Sequence, residues 1–152
     1  MQRSLAFDIP PTADGMVLRD YQQEALECIH DAAQDGVRRQ LVSMATGLGK
    51  TVRFAQIPRV LDARRVLVLA HRRELLTQAQ RKLRSANRHL SVEIEQAENW
   101  AEKTTDIVVA SVQTLVNPHR QRRFVQQGFD VIVVDEAHHI SATSYLKILK
   151  AF

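Results

Sequence analysis

Val131-Ile132-Val133-Val134-Asp135-Glu136-Ala137-His138 is the stretch on which the architecture turns. Four apolar residues make a strand-sized run, and the run stops on two adjacent carboxylates. In open α/β sheets, ligands sit outside the carboxyl ends of the strands, so a strand over Val131 to Val134 would deliver Asp135 to that edge. Taken alone, the Asp-Glu pair is equally a solvated strand end or the start of a helix whose dipole favours acids.

Working outward, strand-like runs alternate with amphipathic stretches, the pattern of βα units around a parallel sheet. Strands are expected at Gln40 to Ser43, Arg65 to Ala70, Ser91 to Gln96 and Asp106 to Ala110, the last of them central. Helices are expected over Lys50 to about Ile57, ended or kinked by Pro58, and over Glu74 to Ala86, with Leu75, Leu76, Ala79 and Leu83 on one face. Pro118 opens a short basic helix through Val125, Gly128 ends that segment, and Ser144 to Phe152 is a further helix. Ahead of these, Asp20 is the expected N-cap of a first helix in which Tyr21, Ala25, Ile29 and Ala32 recur, with Gly36 as its stop. Residues 1–17 form an extended N-terminal extension and residues 18–152 one α/β domain, a mostly parallel sheet flanked by helices that is still unfinished at Phe152.

A second motif fits the first. Ala45-Thr46-Gly47-Leu48-Gly49-Lys50-Thr51 lies between a predicted strand and a predicted helix. Gly47 and Gly49 permit tight turns and close phosphate approach, and the helix beginning near Lys50 directs backbone N–H groups at an anion. Lys50 suits the outer phosphates and the Thr51 hydroxyl suits Mg²⁺. Met44 stands where the phosphate-loop pattern has its first glycine. Together the two motifs specify a nucleotide site; neither does so alone.

Composition bounds the alternatives. The 152 residues are 45% hydrophobic and 25% charged, enough for one sizeable core. The single cysteine, Cys28, excludes an internal disulfide and a cysteine metal cluster built from this chain alone, and a reducing, cytoplasmic setting is the simplest expectation. The apolar runs are too short to span a bilayer and no targeting segment is evident. The net charge of +4 hides an asymmetry: residues 1–36 hold two basic and seven acidic side chains, and residues 37–152 hold nineteen and ten. Such a basic body favours a polyanion such as nucleic acid, although many basic domains bind none.

The order of motifs resembles the N-terminal RecA-like motor domain of superfamily two helicases, in the DEAH-type branch related to type III restriction subunits and repair helicases. Arg19-Asp20-Tyr21-Gln22 resembles that branch's adenine-recognition element, with Asp20 in place of a proline. Ala45 to Thr51 resembles motif I, Ala70-His71-Arg72-Arg73-Glu74-Leu75 motif Ia, Ser111-Val112-Gln113-Thr114-Leu115 the next nucleic-acid motif, and Asp135-Glu136-Ala137-His138 motif II. The resemblance implies an ATP site formed by Arg19, Gln22, Thr46, Gly47, Leu48, Gly49, Lys50 and Thr51, with Gln22 reading the adenine edge. It implies Mg²⁺ on Thr51 and Asp135, catalysis by Lys50 and Glu136, coupling by His138, and nucleic-acid contacts at Arg72 and Thr114. It implies ATP and a nucleic acid as partners, DNA by preference for this branch. It also implies a second RecA-like domain, absent from this chain, that supplies the arginine finger; alone, the chain is expected to bind nucleotide weakly and hydrolyse it slowly.

Two other classes stay open. A P-loop ATPase of another mechanical class shares the phosphate loop and the acidic strand but leaves Ala70 to Leu75 and Ser111 to Leu115 unexplained. A truncated motor could instead be a non-enzymatic nucleic-acid-binding or interaction module. Several residues take plain readings: Arg120, Arg122 and Arg123 as a solvated helix face, His138 and His139 without zinc, Cys28 as core packing, and Trp100 as a loop anchor. Ser141-Ala142-Thr143 lies too close behind His139-Ile140 to be the helicase Ser-Ala-Thr motif and is expected to lead into a helix.

Overall fold

A computed structural model describes residues 17–43, 54–136, 138 and 142–152. The predicted phosphate loop, the first part of the helix after it, most of the N-terminal extension, Ala137, His139, Ile140 and Ser141 lie outside the described residues. Helix α1 spans Asp20–Gln34, α2 Ile57–Val60, β1 Val66–Ala70, α3 Arg73–Ala86, β2 Val92–Glu95, β3 Ile107–Ser111, α4 Val112–Leu115, α5 Pro118–Val125, β4 Val131–Val134 and α6 Thr143–Ala151. Among the described residues the sheet is four-stranded and wholly parallel, in the order β2-β3-β1-β4.

All five residues of β1 and of β3 are buried, as continuous apolar runs demand when helices cover both faces of a parallel sheet. Alternation sends Val66, Val68 and Ala70 to one face, where they pack with Leu26 of α1 and Leu76, Ala79 and Leu83 of α3. Leu67 and Leu69 point to the other face, with Leu115, Phe124, Tyr145 and Ile148 of α4 to α6. At the amino edge, Asp130 Oδ2 accepts from the backbone N–H groups of Arg64 and Arg65 at 3.0 and 2.8 Å, tying the start of β4 to that of β1. Ser91 and Asp106 do the same for β2 and β3: Ser91 N and Oγ donate to Asp106 Oδ2 at 2.9 and 2.8 Å. Burial pushes the Asp106 carboxyl up, but these bonds and the Arg64 guanidinium outweigh it and hold it below its ordinary 3.8.

Four expectations are corrected. Gln40 to Ser43 is not a strand: it pairs with no other segment among the described residues, and Leu41 is 81% exposed. Arg19, not Asp20, is the N-cap of α1, because the backbone is already helical at Asp20. The helix expected to reach Ile57 stops earlier: Phe54 is helical, Ala55 and Gln56 form a turn, and Pro58 sits in the first turn of the separate α2, where its missing N–H costs nothing. Cys28 is exposed, not core; α1 buries Gln22 and Leu26, and a residue two places from Leu26 lies about 200° round the helix. The predicted stop is where expected: Gly36 has φ +82°, and Val37 N and Gly36 N donate to Ala32 O and Ala33 O at 2.9 and 3.0 Å, a Schellman closure.

Candidate nucleotide and nucleic-acid site

Register aligns the carboxyl ends of the strands. Leu69 pairs with Val134, Ala70 with Ser111, and Glu95 with Ala110, so Gln96, Ser111, Ala70 and Asp135 finish at one level. Each strand is followed at once by a sequence-predicted site or a loop beside one, across about 14 Å at ordinary strand spacing.

Asp135 leaves β4 still bonded to the sheet, its N–H donating to Leu69 O at 3.0 Å. Glu136 then takes φ +57°, a conformation disfavoured for a residue with a Cβ. The turn is closed by its own predecessor, since Glu136 N donates to Asp135 Oδ1 at 3.0 Å. His138 Nδ1 lies 3.3 Å from Glu136 Oε2, both partly exposed. Beneath them is Tyr145 of α6, 1% exposed, a residue that sequence reasoning missed because helical spacing marks it only as core. Burial, then the charges of Asp135 and Glu136, push its phenol above 10.0. Its hydroxyl has no hydrogen-bond partner among the described residues.

A Mg²⁺ ion asks for one or two carboxylates and takes its remaining ligands from phosphate and water. Asp135, a hard oxygen donor at a strand end, fits that demand. Among the described residues no group of three His, Cys, Asp or Glu side chains could hold a metal without such help. Lys50, Thr51, Thr46, Gly47, Leu48 and Gly49 lie outside the described residues.

At the start of α1, Arg19 N donates to Gln22 Oε1 at 3.0 Å, so the Gln22 side chain satisfies the N-cap backbone. Gln22 is buried, unlike a glutamine on a solvated helix face. Arg72 caps α3 directly after β1, with its side chain exposed. Thr114 lies in α4 directly after β3, and its Oγ1 accepts from Ala97 N at 3.0 Å.

Beyond β2 stands a cluster that the sequence did not announce. Glu95 is fully buried and accepts from Ala101 N at 2.8 Å, from Arg123 Nη1 at 3.2 Å and from Arg120 Nη1. Arg120 also donates to Ala97 O and Asn99 O, and Arg123 to Ala101 O. The solvated-face reading therefore fails for Arg120, which is 8% exposed, and for the half-buried Arg123; Arg122 is exposed as expected. The Arg120 guanidinium lies 3.3 Å from the Trp100 ring centroid and that of Arg123 4.7 Å, so Trp100 is held in its loop as expected. Glu95 lies 25 and 28 residues from Arg120 and Arg123 in sequence, a pairing no local pattern reveals.

The sequence model of the family described as "Type III restriction enzyme, res subunit" matches residues 15–152. A Saccharomyces cerevisiae protein named putative ATP-dependent helicase IRC3 is 38% identical over 146 residues, covering 90% of this chain and 21% of that protein. A Schizosaccharomyces pombe protein named putative mitochondrial ATP-dependent helicase irc3 is 36% identical over 140 residues, covering 89% of this chain and 23% of that one. The chain thus spans about a fifth of the length of the curated relatives it matches. Among solved structures, the Sulfolobus solfataricus SWI2/SNF2 ATPase core in complex with dsDNA superposes with a TM-score of 0.72 at 19% identity, covering 97% of this chain and 31% of that one. Likeness at that identity speaks for the fold, a RecA-like α/β core. No helix among the described residues is long and apolar enough to cross a membrane.

Proposed function

The chain belongs to the type III restriction enzyme res subunit family and carries its RecA-like, helicase-type ATP-binding domain, and from that premise we propose that the full-length protein is an ATP-dependent helicase or translocase acting on DNA. The observation that carries the reading is the shared carboxyl edge: Asp135 and Glu136 follow β4 while Arg72 follows β1 and Thr114 follows β3. A nucleotide at one end of that edge and a strand along the rest of it would be joined by a single rigid sheet.

In this reading Lys50 and the loop from Thr46 to Gly49 hold the phosphates, and Gln22 and Arg19 lie towards the adenine. Thr51 and Asp135 would hold Mg²⁺, which when bound neutralises charge on the outer phosphates. Glu136 orients the attacking water and takes its proton, and His138, paired with Glu136, links that carboxylate to the facing domain. Arg72 meets the phosphate backbone, for which a guanidinium is geometrically suited, and Thr114 adds a second contact; neither confers base preference. A second RecA-like domain supplies the arginine finger, a contribution of about 10³ to 10⁵ in rate where one is used. The name of the dsDNA-bound relative supports DNA over RNA. The lone cysteine supports a reducing compartment, which we take to be the cytoplasm.

Lys50→Ala and Glu136→Gln in the full-length protein test the enzyme: both should abolish strand-stimulated ATP turnover, and the second should still bind nucleotide. Arg72→Ala should weaken strand binding and lower its salt slope by about one phosphate contact. Turnover that survives Glu136→Gln would overturn the catalytic assignment. Unchanged affinity in Arg72→Ala would favour a P-loop ATPase of another mechanical class, and brisk strand-stimulated hydrolysis by the 152-residue chain alone would refute the need for a second domain.

A further inference from the structure

Trp100 is half exposed although two guanidiniums lie over its ring and its loop is pinned from several sides. Gln96 and Asn99 bridge each other, Thr114 accepts from Ala97, and Ala97 is held at φ +47°. Burying Glu95 with Arg120 is a costly way to fix a loop, since ion pairs removed from water recover little more than their desolvation penalty. The cluster carries one negative and two positive charges, with His119 edge-on to the indole at 6.2 Å and exposed. It follows β2 at the level where Thr114 follows β3 and Arg72 follows β1; the segment itself carries Glu93, Glu95, Glu98 and Glu102 against Lys103, and its arginines, Arg120 and Arg123, are brought to it by α5.

We propose that Trp100 is a stacking platform for an unpaired base of the bound strand, at the far end of the track that begins at Arg72 and passes Thr114. The inference rests on the nucleic-acid reading above and adds to it a contact to bases, so that the domain prefers single-stranded over fully paired substrate. Arg120 and Arg123 are positioning residues: their donors are engaged by Glu95 and by the loop carbonyls, and they present the ring without meeting the strand themselves. An indole with a cation behind it is a suitable surface for an electron-rich base, and stacking tolerates any sequence.

Trp100 is the only tryptophan in the chain, so its emission reports on this site directly. The 152-residue chain is titrated with labelled oligothymidylate and with an abasic oligomer of equal length, reading label anisotropy and indole emission together. Oligothymidylate should quench the emission and the abasic strand should bind without doing so. Trp100→Ala should weaken oligothymidylate binding by roughly tenfold with an unchanged salt slope, and Trp100→Phe should restore most of it. Binding that leaves the emission unchanged, equal quenching by the abasic strand, or full affinity in Trp100→Ala would overturn the proposal while leaving the Arg72 track standing. No binding of either strand would overturn the nucleic-acid reading and this inference with it. Should Trp100→Ala lose its far-UV signal, the emission of the unaltered chain and the Trp100→Phe affinity decide.

Discussion

Replacing Glu95 by glutamine should cost this domain about 3 kcal/mol, the lower end of what removing one partner of a buried ion pair costs. The figure applies here because the carboxylate is fully buried and the Arg120 and Arg123 side chains are only 10% and 18% exposed, so water cannot take its place. Glutamine keeps the shape but not the chemistry. Oε1 faces Arg120, and Oε2 faces Arg123 and Ala101 N. Either orientation of the amide therefore sets its NH₂ group against a donor. For a chain of this length the loss corresponds to a fall in Tm of roughly 6 to 12 °C. Equilibrium urea denaturation, followed by far-UV circular dichroism and by Trp100 emission, measures it. Arg64→Ala serves as the control, since Arg64 is 84% exposed in its pair with Asp106 and should cost no more than about 1 kcal/mol. A Glu95→Gln loss no larger than the control's would refute the reasoning, for the cluster would then behave as a solvated surface pair.

Tyr145→Phe removes a buried hydroxyl with no partner among the described residues and should raise stability by about 1 kcal/mol at neutral pH, measured by denaturant midpoint. Because the folded pKa is raised above 10.0, native stability should hold below that pH and fall as pH climbs towards the folded value; the phenylalanine variant should lack this part of the alkaline loss. A destabilised Phe variant would mean that the hydroxyl is bonded. Asp106→Asn weakens the Ser91 clamp and should cost about 2 kcal/mol at neutral pH. Its folded pKa is lowered, so the carboxylate's contribution is present above 3.8 and lost as pH falls through the folded value; a difference from the native protein that persists unchanged in strong acid would contradict the assignment.

Sequence and structure agree where a local period decides the outcome. The buried runs of β1 and β3, the β4 run ending on Asp135, the amphipathic α3 and the proline-led α5 all announce themselves within a few residues. Gln40 to Ser43 shows the limit: Leu41 and Val42 read as strand, but pairing depends on a neighbour that no short window contains. The candidate site divides in the same way. Asp135, Glu136 and His138 stand together in sequence and stay together in space. Glu95, Trp100, Arg120 and Arg123 converge from separate segments, and the two arginines look like solvent-facing residues until Glu95 is placed under them. Tyr145 carries no signal beyond helical spacing, because the charges that act on it belong to another element.

Among the described residues strand β4 pairs only with β1, and all four of its residues are half-buried rather than enclosed. The rim that the described residues leave beside it can bond an extended segment, from the rest of this chain or from another copy, with valine and isoleucine side chains at the contact. The element that presents Asp135 is thus also, like β2, an edge of the sheet among the described residues. Colloidal behaviour and the geometry of the carboxylate turn meet at this edge, and light scattering of the 152-residue chain against concentration reads whether it is covered.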